Sequence, residues 1–201
     1  MTPKKLCLNF YRRGDVVQIS KDLIGKVLCT QLDNQPVTAG IIVETEAYCG
    51  RNDKACHAND GLRTDRTEIM YHSGGVAYIY LCYGIHHLFN VVTNVQDNAD
   101  AVLVRAIQPL EGIEYMLDRR KHESLDPKLS AGPGRLTQAL GITTSQSRIN
   151  FQGDTIWIED REISFDEKEV VASPRIGVDY AGDHARRPWR FYVKDNKWVS
   201  S

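Results

Sequence analysis

Two glutamates, Glu44 and Glu46, stand two positions apart in the run GIIVETEAYCG, and Tyr48 follows at the same spacing. In an extended strand, residues i, i+2 and i+4 share one face, so both carboxylates and the phenol would point the same way. A carboxylate is costly to bury alone, and two on one face repel each other. One of them is then poised near neutral pH as a base that activates water. Spacing alone equally fits the polar face of an exposed edge strand.

Asn90 in LFNVVT and Arg105 in AVLVRAI interrupt runs that otherwise read as buried. A buried amide or guanidinium must find partners, and such residues line polar pockets. The alternatives are an internally satisfied Asn and an Arg paired with an acid such as Glu44 or Asp100. Tyr78, Tyr80 and Tyr83 crowd the run AYIYLCYGI. Tyr78 and Tyr80 share a strand face, and Tyr83 falls in the turn after it. Flat rings stack on nucleobases, and a ring on a rigid hairpin tip pushes into a base stack. The same tyrosines also serve as plain sheet cover.

The elements that must hold these residues are mostly strands. A short helix is predicted over residues 20–28, with Ser20 as N-cap and Asp22 in the first turn. Strands follow at 26–32 and 37–48, joined by a turn at Asp33-Asn34. In the second, Val43, Thr45 and Ala47 face one side; Ile42, Glu44, Glu46 and Tyr48 face the other. Residues 51–73 form a long polar connection, and such connections are often functional. A hairpin is predicted with strands 76–82 and 86–93 and its tip at Tyr83-Gly84. A strand over 101–107 ends before Pro109. Helices begin near Leu110 and over 134–140, and strands return at 155–158 and 189–193. Successive strands with few helices between them imply an α+β fold, one domain spanning residues 1–201, on an antiparallel sheet.

The bulk numbers exclude several classes. The 201 residues carry a formal net charge of −1, so total charge gives no support to polyanion binding. Its distribution is uneven. Residues 153–170 hold seven acids against two bases, and residues 175–201 hold six bases against three acids. A basic face is thus compatible with the neutral total. The five cysteines form no CxxC pair, which points to a reducing compartment. The N-terminal run lacks the apolar core of a signal peptide, and His86, His87 and Asn90 break the longest apolar stretch, so no membrane span is expected. There is no HExxH helix, no zinc-deaminase signature, no Walker loop and no dinucleotide fingerprint. Cys49, Cys56 and His57 make a weak metal set, and no metal or other cofactor is expected. GPGR at residues 132–135 is similar to the hairpin of helix-hairpin-helix repair proteins and equally to a helix-capping turn.

Taken in order, these stretches resemble the alkyladenine (methylpurine) DNA glycosylase family. The resemblance runs from about residue 19 to 199 through DLIGKVL, GIIVETEAYCG, the Ala55-Cys56-His57 step, RTDRTEIM, AYIYLCYGI, the Asn90 strand, AVLVRAIQPLEG, GPGRL, PRIGV and ARRPWRFYV. It implies a single mixed domain with a curved antiparallel sheet and surrounding helices, and a monofunctional, metal-free hydrolysis of a flipped purine nucleotide. Glu46 would be the general base; Arg105 and the backbone carbonyl of Ile176 would help hold the water. The purine would stack between Tyr48 on one side and His57 and Tyr80 on the other. Asn90 would stand where a guanine 2-amino group must pass. Tyr83 would be the wedge filling the gap in the duplex, with Ile85 beside it.

Departures are small: Ile85 replaces a frequent Met, and Ile176 a frequent Val. The link between Asn90 and Arg105 looks two residues longer than in vertebrate members, so strand register there is the point to check. The vertebrate N-terminal extension is missing, which implies a bacterial source. The implied partner is damaged double-stranded DNA bound by a monomer, in the cytoplasm at the nucleoid and not at a membrane. Alkylated, etheno and deaminated purines are the implied substrates. A carbohydrate glycosidase using Glu44 and Glu46 is a further reading, since inverting enzymes of that kind keep their carboxyls about 6.5–9.5 Å apart. A non-catalytic lesion-binding module is another, although the intact VETEAY argues against it.

Overall fold

The structure, a computed structural model, describes residues 4–32 and 35–200. Nine strands are present among them: β1 (Lys4–Lys5), β2 (Val27–Thr30), β3 (Thr38–Cys49), β4 (Ala77–Cys82), β5 (His86–Thr93), β6 (Asp100–Glu111), β7 (Ile156–Asp160), β8 (Val170–Ser173) and β9 (Arg190–Val193). They form one strongly curled sheet in the order β1-β7-β2-β3-β6-β5-β4, antiparallel at every pairing. Past the end of β2, the free edge of β3 is taken by β9, and β8 pairs with β9. The expected α+β class with a curved antiparallel sheet is what the chain adopts. The turn expected at Asp33-Asn34 lies outside the described residues.

The central position of β3 settles the question its spacing left open. Glu44 and Glu46 are fully buried, not on an exposed edge. Alternation then sorts the sheet into two faces. Val43, Ala47, Phe89, Val91, Val102 and Val104 enter the larger apolar cluster, which the helices cover. Tyr48, Tyr78, Tyr80, Val92 and Ala101 face the other way, into a smaller cluster. One residue departs from the predicted faces. Ile42 joins Val43 in the larger cluster, because β3 shifts register between Ile42 and Glu44 and the extra residue of a bulge interrupts the two-residue period.

Helix α1 covers Leu8–Tyr11 and α2 covers Val16–Asp22, so the helix predicted over 20–28 starts and stops too late. Asp15 is the N-cap, accepting from the amides of Val17 and Gln18, and Ile19 and Leu23 bury the inward stripe. Ser20 is no cap. It is buried mid-helix and donates to the Thr45 hydroxyl, which donates to the Ser20 carbonyl, both within 3.0 Å. That exchange ties α2 to β3 between Glu44 and Glu46.

β6 also overruns its predicted end, continuing through Pro109 to Glu111. Proline brings no amide to a ladder, but Pro109 sits opposite Gly40 at a register shift. A side chain at Gly40 would collide with Ile107 at 2.6 Å, so glycine is what lets the two strands approach there. Helix α3 (Ile113–Arg120) therefore begins three residues later than expected. Helix α4 (Pro133–Leu140) starts with Pro133 in its first turn directly after Gly132, so GPGR is the helix-capping turn. Strands β1 and β8 and helix α1 were not predicted.

The long connection 51–73 carries two short 3-10 turns, Asn59–Gly61 and Glu68–Tyr71. It buries Cys56, Ala58, Ile69, Met70 and Tyr71 against the face that carries Tyr48 and Tyr78. A cavity opens between this loop layer and the sheet. No helix among the described residues is long and apolar enough to cross a membrane.

Candidate active site

Strand register brings distant residues into one row. Glu46 pairs with Leu103, Leu103 with Asn90, and Asn90 with Tyr78. Directly paired residues of antiparallel strands point to the same face, so these four side chains line up across β3, β6, β5 and β4. The longer link between β5 and β6 is absorbed outside the ladder, since Thr93 still pairs with Asp100.

The cavity above this row measures about 410 Å3, within the usual range for a small-molecule site. Its walls include Tyr48, His57, Tyr80, Asn90, Arg105 and Ile176, all singled out in the sequence, and Tyr83 stands at its rim. Ile85 is not part of the lining. It lies 70% exposed at the hairpin tip beside Tyr83, which is 92% exposed. Both Tyr83 and Gly84 have positive φ, and the Ile85 amide closes the turn on the Cys82 carbonyl. A left-handed aromatic residue is strained, so this turn holds a bulky ring where glycine would be easier.

Glu46 lies behind the wall, with no surface of its own in the cavity. One carboxylate oxygen, Oε1, accepts from the Ile176 amide at 2.8 Å and lies 3.3 Å from Arg105 Nη1. The other, Oε2, accepts from the Tyr48 hydroxyl at 2.7 Å. Burial and the neighbouring Glu46 raise the Tyr48 phenol well above its ordinary pKa, so it stays protonated and donates. Burial works against the charge of Arg105, but Glu46 and Glu44 more than offset this and raise its pKa. At Glu46 itself it is the Ile176 amide that makes contact; the carbonyl is expected at the water, not at the carboxylate.

Glu44 is spoken for. Its Oε1 accepts from Arg105 Nε at 2.9 Å, Arg190 Nε at 2.6 Å and the Ser200 hydroxyl at 2.8 Å; its Oε2 accepts from the Ser200 amide at 2.7 Å. The two glutamates therefore do not form a bare repelling pair: Arg105 bridges them. Glu44 anchors Arg105, and Arg105 reaches Glu46.

On the opposite wall, His57 meets the Tyr80 ring edge-on with centroids 4.8 Å apart. Its Nδ1 is 2.9 Å from the buried Tyr78 hydroxyl. Burial, reinforced by the charge of Arg66, lowers the His57 pKa to about 4. At neutral pH the imidazole is uncharged. Asn90 is nearly fully buried, and its amide nitrogen donates to the carbonyls of Tyr78 and Leu88 at 3.2 and 3.4 Å. Its side chain is thus pinned in the cavity wall.

Three residues of the site escaped the sequence reading. Arg175 and Asp53 form a fully buried ion pair, with Arg175 Nη2 2.8 Å from Asp53 Oδ1. Arg175 also donates to the Ala47 carbonyl and lies 4.8 Å over the Tyr48 ring. It fixes the ring whose hydroxyl caps Glu46, and it is the residue before Ile176. Arg66 lies 4.7 Å over the Tyr80 ring, with Nη2 3.2 Å from His57 Nε2. Both arginines sat inside motifs, RTDRTEIM and PRIGV, but nothing local showed which way they turn. Meanwhile Arg175 and Arg190 are tied to Asp53 and Glu44, and Arg186 pairs with Asp183, so half of the C-terminal bases contribute no free basic face. No group of three or more His, Cys, Asp or Glu side chains suited to a metal ion occurs among the described residues.

A buried carboxylate fixed by an arginine, next to an aromatic-walled cavity roomy enough for a purine, suits charge stabilisation and proton removal at a cleaving glycosidic bond. Comparison with known proteins agrees. The model of the methylpurine-DNA glycosylase family matches residues 9–197. A protein of Chlamydia abortus is 46% identical over 187 residues, covering 92% of this chain and 96% of its own. One of Bacillus cereus is 43% identical over 201 residues, covering 96% and 97%, and one of Natranaerobius thermophilus is 41% identical over 197 residues, covering 98% of each. All three are provisionally named 3-methyladenine DNA glycosylases. The chain belongs to the methylpurine-DNA glycosylase family, hydrolases that cut N-glycosidic bonds.

Proposed function

We propose that the protein rotates a damaged purine nucleotide out of double-stranded DNA and hydrolyses its N-glycosidic bond, leaving an abasic site. The observation that carries this reading is the buried Glu46 carboxylate, held by Arg105 and the Ile176 amide behind the slot walled by Tyr48, His57 and Tyr80. The base would stack between Tyr48 and the His57–Tyr80 wall. Glu46 would take a proton from water as its oxygen bonds to the anomeric carbon, while the breaking bond's electron pair leaves with the base.

Water needs access to a carboxylate that already has three donors. The Ile176 amide is main chain, and Arg105 is pinned by Glu44. The Tyr48 hydroxyl, whose one hydrogen bond among the described residues is to Glu46, is the donor that would have to shift aside for water to reach Oε2. An alkylated purine carrying positive charge leaves without acid help; etheno-adenine and hypoxanthine are neutral and need more. The cavity wall contains no lysine, which favours simple hydrolysis over a covalent amine route. Tyr83, with Ile85 beside it, would fill the space vacated in the duplex, and damaged pairs open more cheaply than sound ones. The acting species would be a monomer at the bacterial nucleoid. The carbohydrate reading loses support because Glu44, its second carboxyl, is fully engaged by Arg105, Arg190 and Ser200.

The test is incubation with oligonucleotides bearing 3-methyladenine, 7-methylguanine, etheno-adenine or hypoxanthine, followed by identification of released bases. Free damaged purine and an intact abasic strand are expected. Binding of the lesions without release of any base would leave a recognition module and refute the enzyme.

A further inference from the structure

Arg66 stands out among the arginines near the cavity. Arg105, Arg175 and Arg190 are each neutralised by a buried carboxylate. Arg63, three residues before it, pairs with Glu68 and Asp97. Arg66 makes no ion pair among the described residues. Its guanidinium lies over the Tyr80 ring at 4.7 Å, 3.3 Å from the Tyr78 hydroxyl through Nε and 3.2 Å from His57 Nε2 through Nη2. All four residues line the cavity. An uncompensated positive charge is therefore fixed on the wall against which a base would stack.

We propose that Arg66 is a specificity-determining residue that biases the base pocket against cationic purines and toward neutral ones. The inference rests on the glycosylase reading above, and two physical effects support it. A fixed guanidinium, charged at every relevant pH, repels a base that already carries positive charge, and at a separation well inside the Debye length salt does not erase that repulsion. Arg66 also draws on the π density of the Tyr80 ring, which weakens that ring's attraction for a cationic purine stacked on it. His57, uncharged at neutral pH, adds no second cation.

The competing role for an exposed arginine beside a DNA site is a phosphate contact, which weakens binding alike for every sequence and lesion. Single-turnover release of 7-methylguanine, a cationic base, and hypoxanthine, a neutral one, from otherwise identical duplexes separates the two. In Arg66→Gln the rate ratio of 7-methylguanine to hypoxanthine should rise about tenfold over wild type, whereas Arg66→Lys should keep it within about twofold. In the free protein, imidazole NMR should show the His57 titration moving up in Arg66→Gln, because a neighbouring charge is gone. Equal loss on both bases, with an active wild type, would overturn the inference and leave a phosphate contact. Release of neither base by wild type would instead defeat the glycosylase reading itself.

Discussion

The amide of Ile176 donates a 2.8 Å hydrogen bond to Glu46 Oε1 across 130 positions of sequence. A main-chain donor cannot be removed by changing its own side chain, so this contact depends on what holds the segment around residue 176. That is the neighbouring Arg175, gripped by Asp53, the Ala47 carbonyl and the His184 carbonyl. Glu46, the proposed base, and its support thus come from strand β3 and a C-terminal segment, clamped by one buried ion pair.

Breaking that clamp should be costly. Asp53→Ala leaves Arg175 buried and unpaired, which typically destabilises a fold by about 3–5 kcal/mol. Urea unfolding should show the loss, and release of any damaged base should fall with it. Unchanged stability would mean that Asp53 is not what holds Arg175.

The hairpin tip should show a trade between stability and function. Tyr83 has a φ of 50°, and glycine adopts that conformation freely. Tyr83→Gly should gain about 1 kcal/mol of stability while losing more activity on duplex than on single-stranded lesions. Equal losses on both substrates would count against a wedge.

His57 predicts a pH dependence with a definite sign. Its pKa is lowered from 6.5 to about 4 in the folded protein, so the unfolded chain binds the proton first. Stability contributed by the neutral imidazole is present above about pH 6.5 and is lost as pH falls toward 4. Thermal melts across that range should flatten in His57→Gln relative to wild type. Parallel curves would show that His57 titrates normally.

Asn90 makes the most specific selectivity prediction. Because its amide is pinned on two strand carbonyls, Asn90→Ser removes a rigid obstacle and should raise release of guanine-type bases relative to adenine-type ones. Competition assays on mixed lesion duplexes measure this. An unchanged ratio would take Asn90 out of the selection step.

Much of this architecture was legible because β-strand alternation is a local signal. The run containing Glu46 gives its face directly, Tyr78 and Tyr80 share one, and the hairpin announces itself at Tyr83-Gly84. What escaped was either compensated locally or paired at a distance. Pro109 stays in β6 because Gly40 opposes it at a shift. The bulge at Val43 sends Ile42 to the wrong predicted face. Asp15, not Ser20, caps α2, since Ser20 is consumed by Thr45. Strand β8 follows an acidic stretch that reads as loop. The Asp53–Arg175 clamp joins positions 122 apart, and no spacing rule reaches that far. Glu44 has the chemistry of a base but is engaged by Arg105, Arg190 and Ser200, which leaves Glu46 as the proposed base.

Glu46 is the proposed acceptor of the proton from the attacking water. Single-turnover release of 7-methylguanine by Glu46→Gln, with duplex affinity measured alongside, tests it most directly. The predicted result is a fall in release of about a thousandfold with lesion binding retained. Release within about threefold of wild type would contradict it.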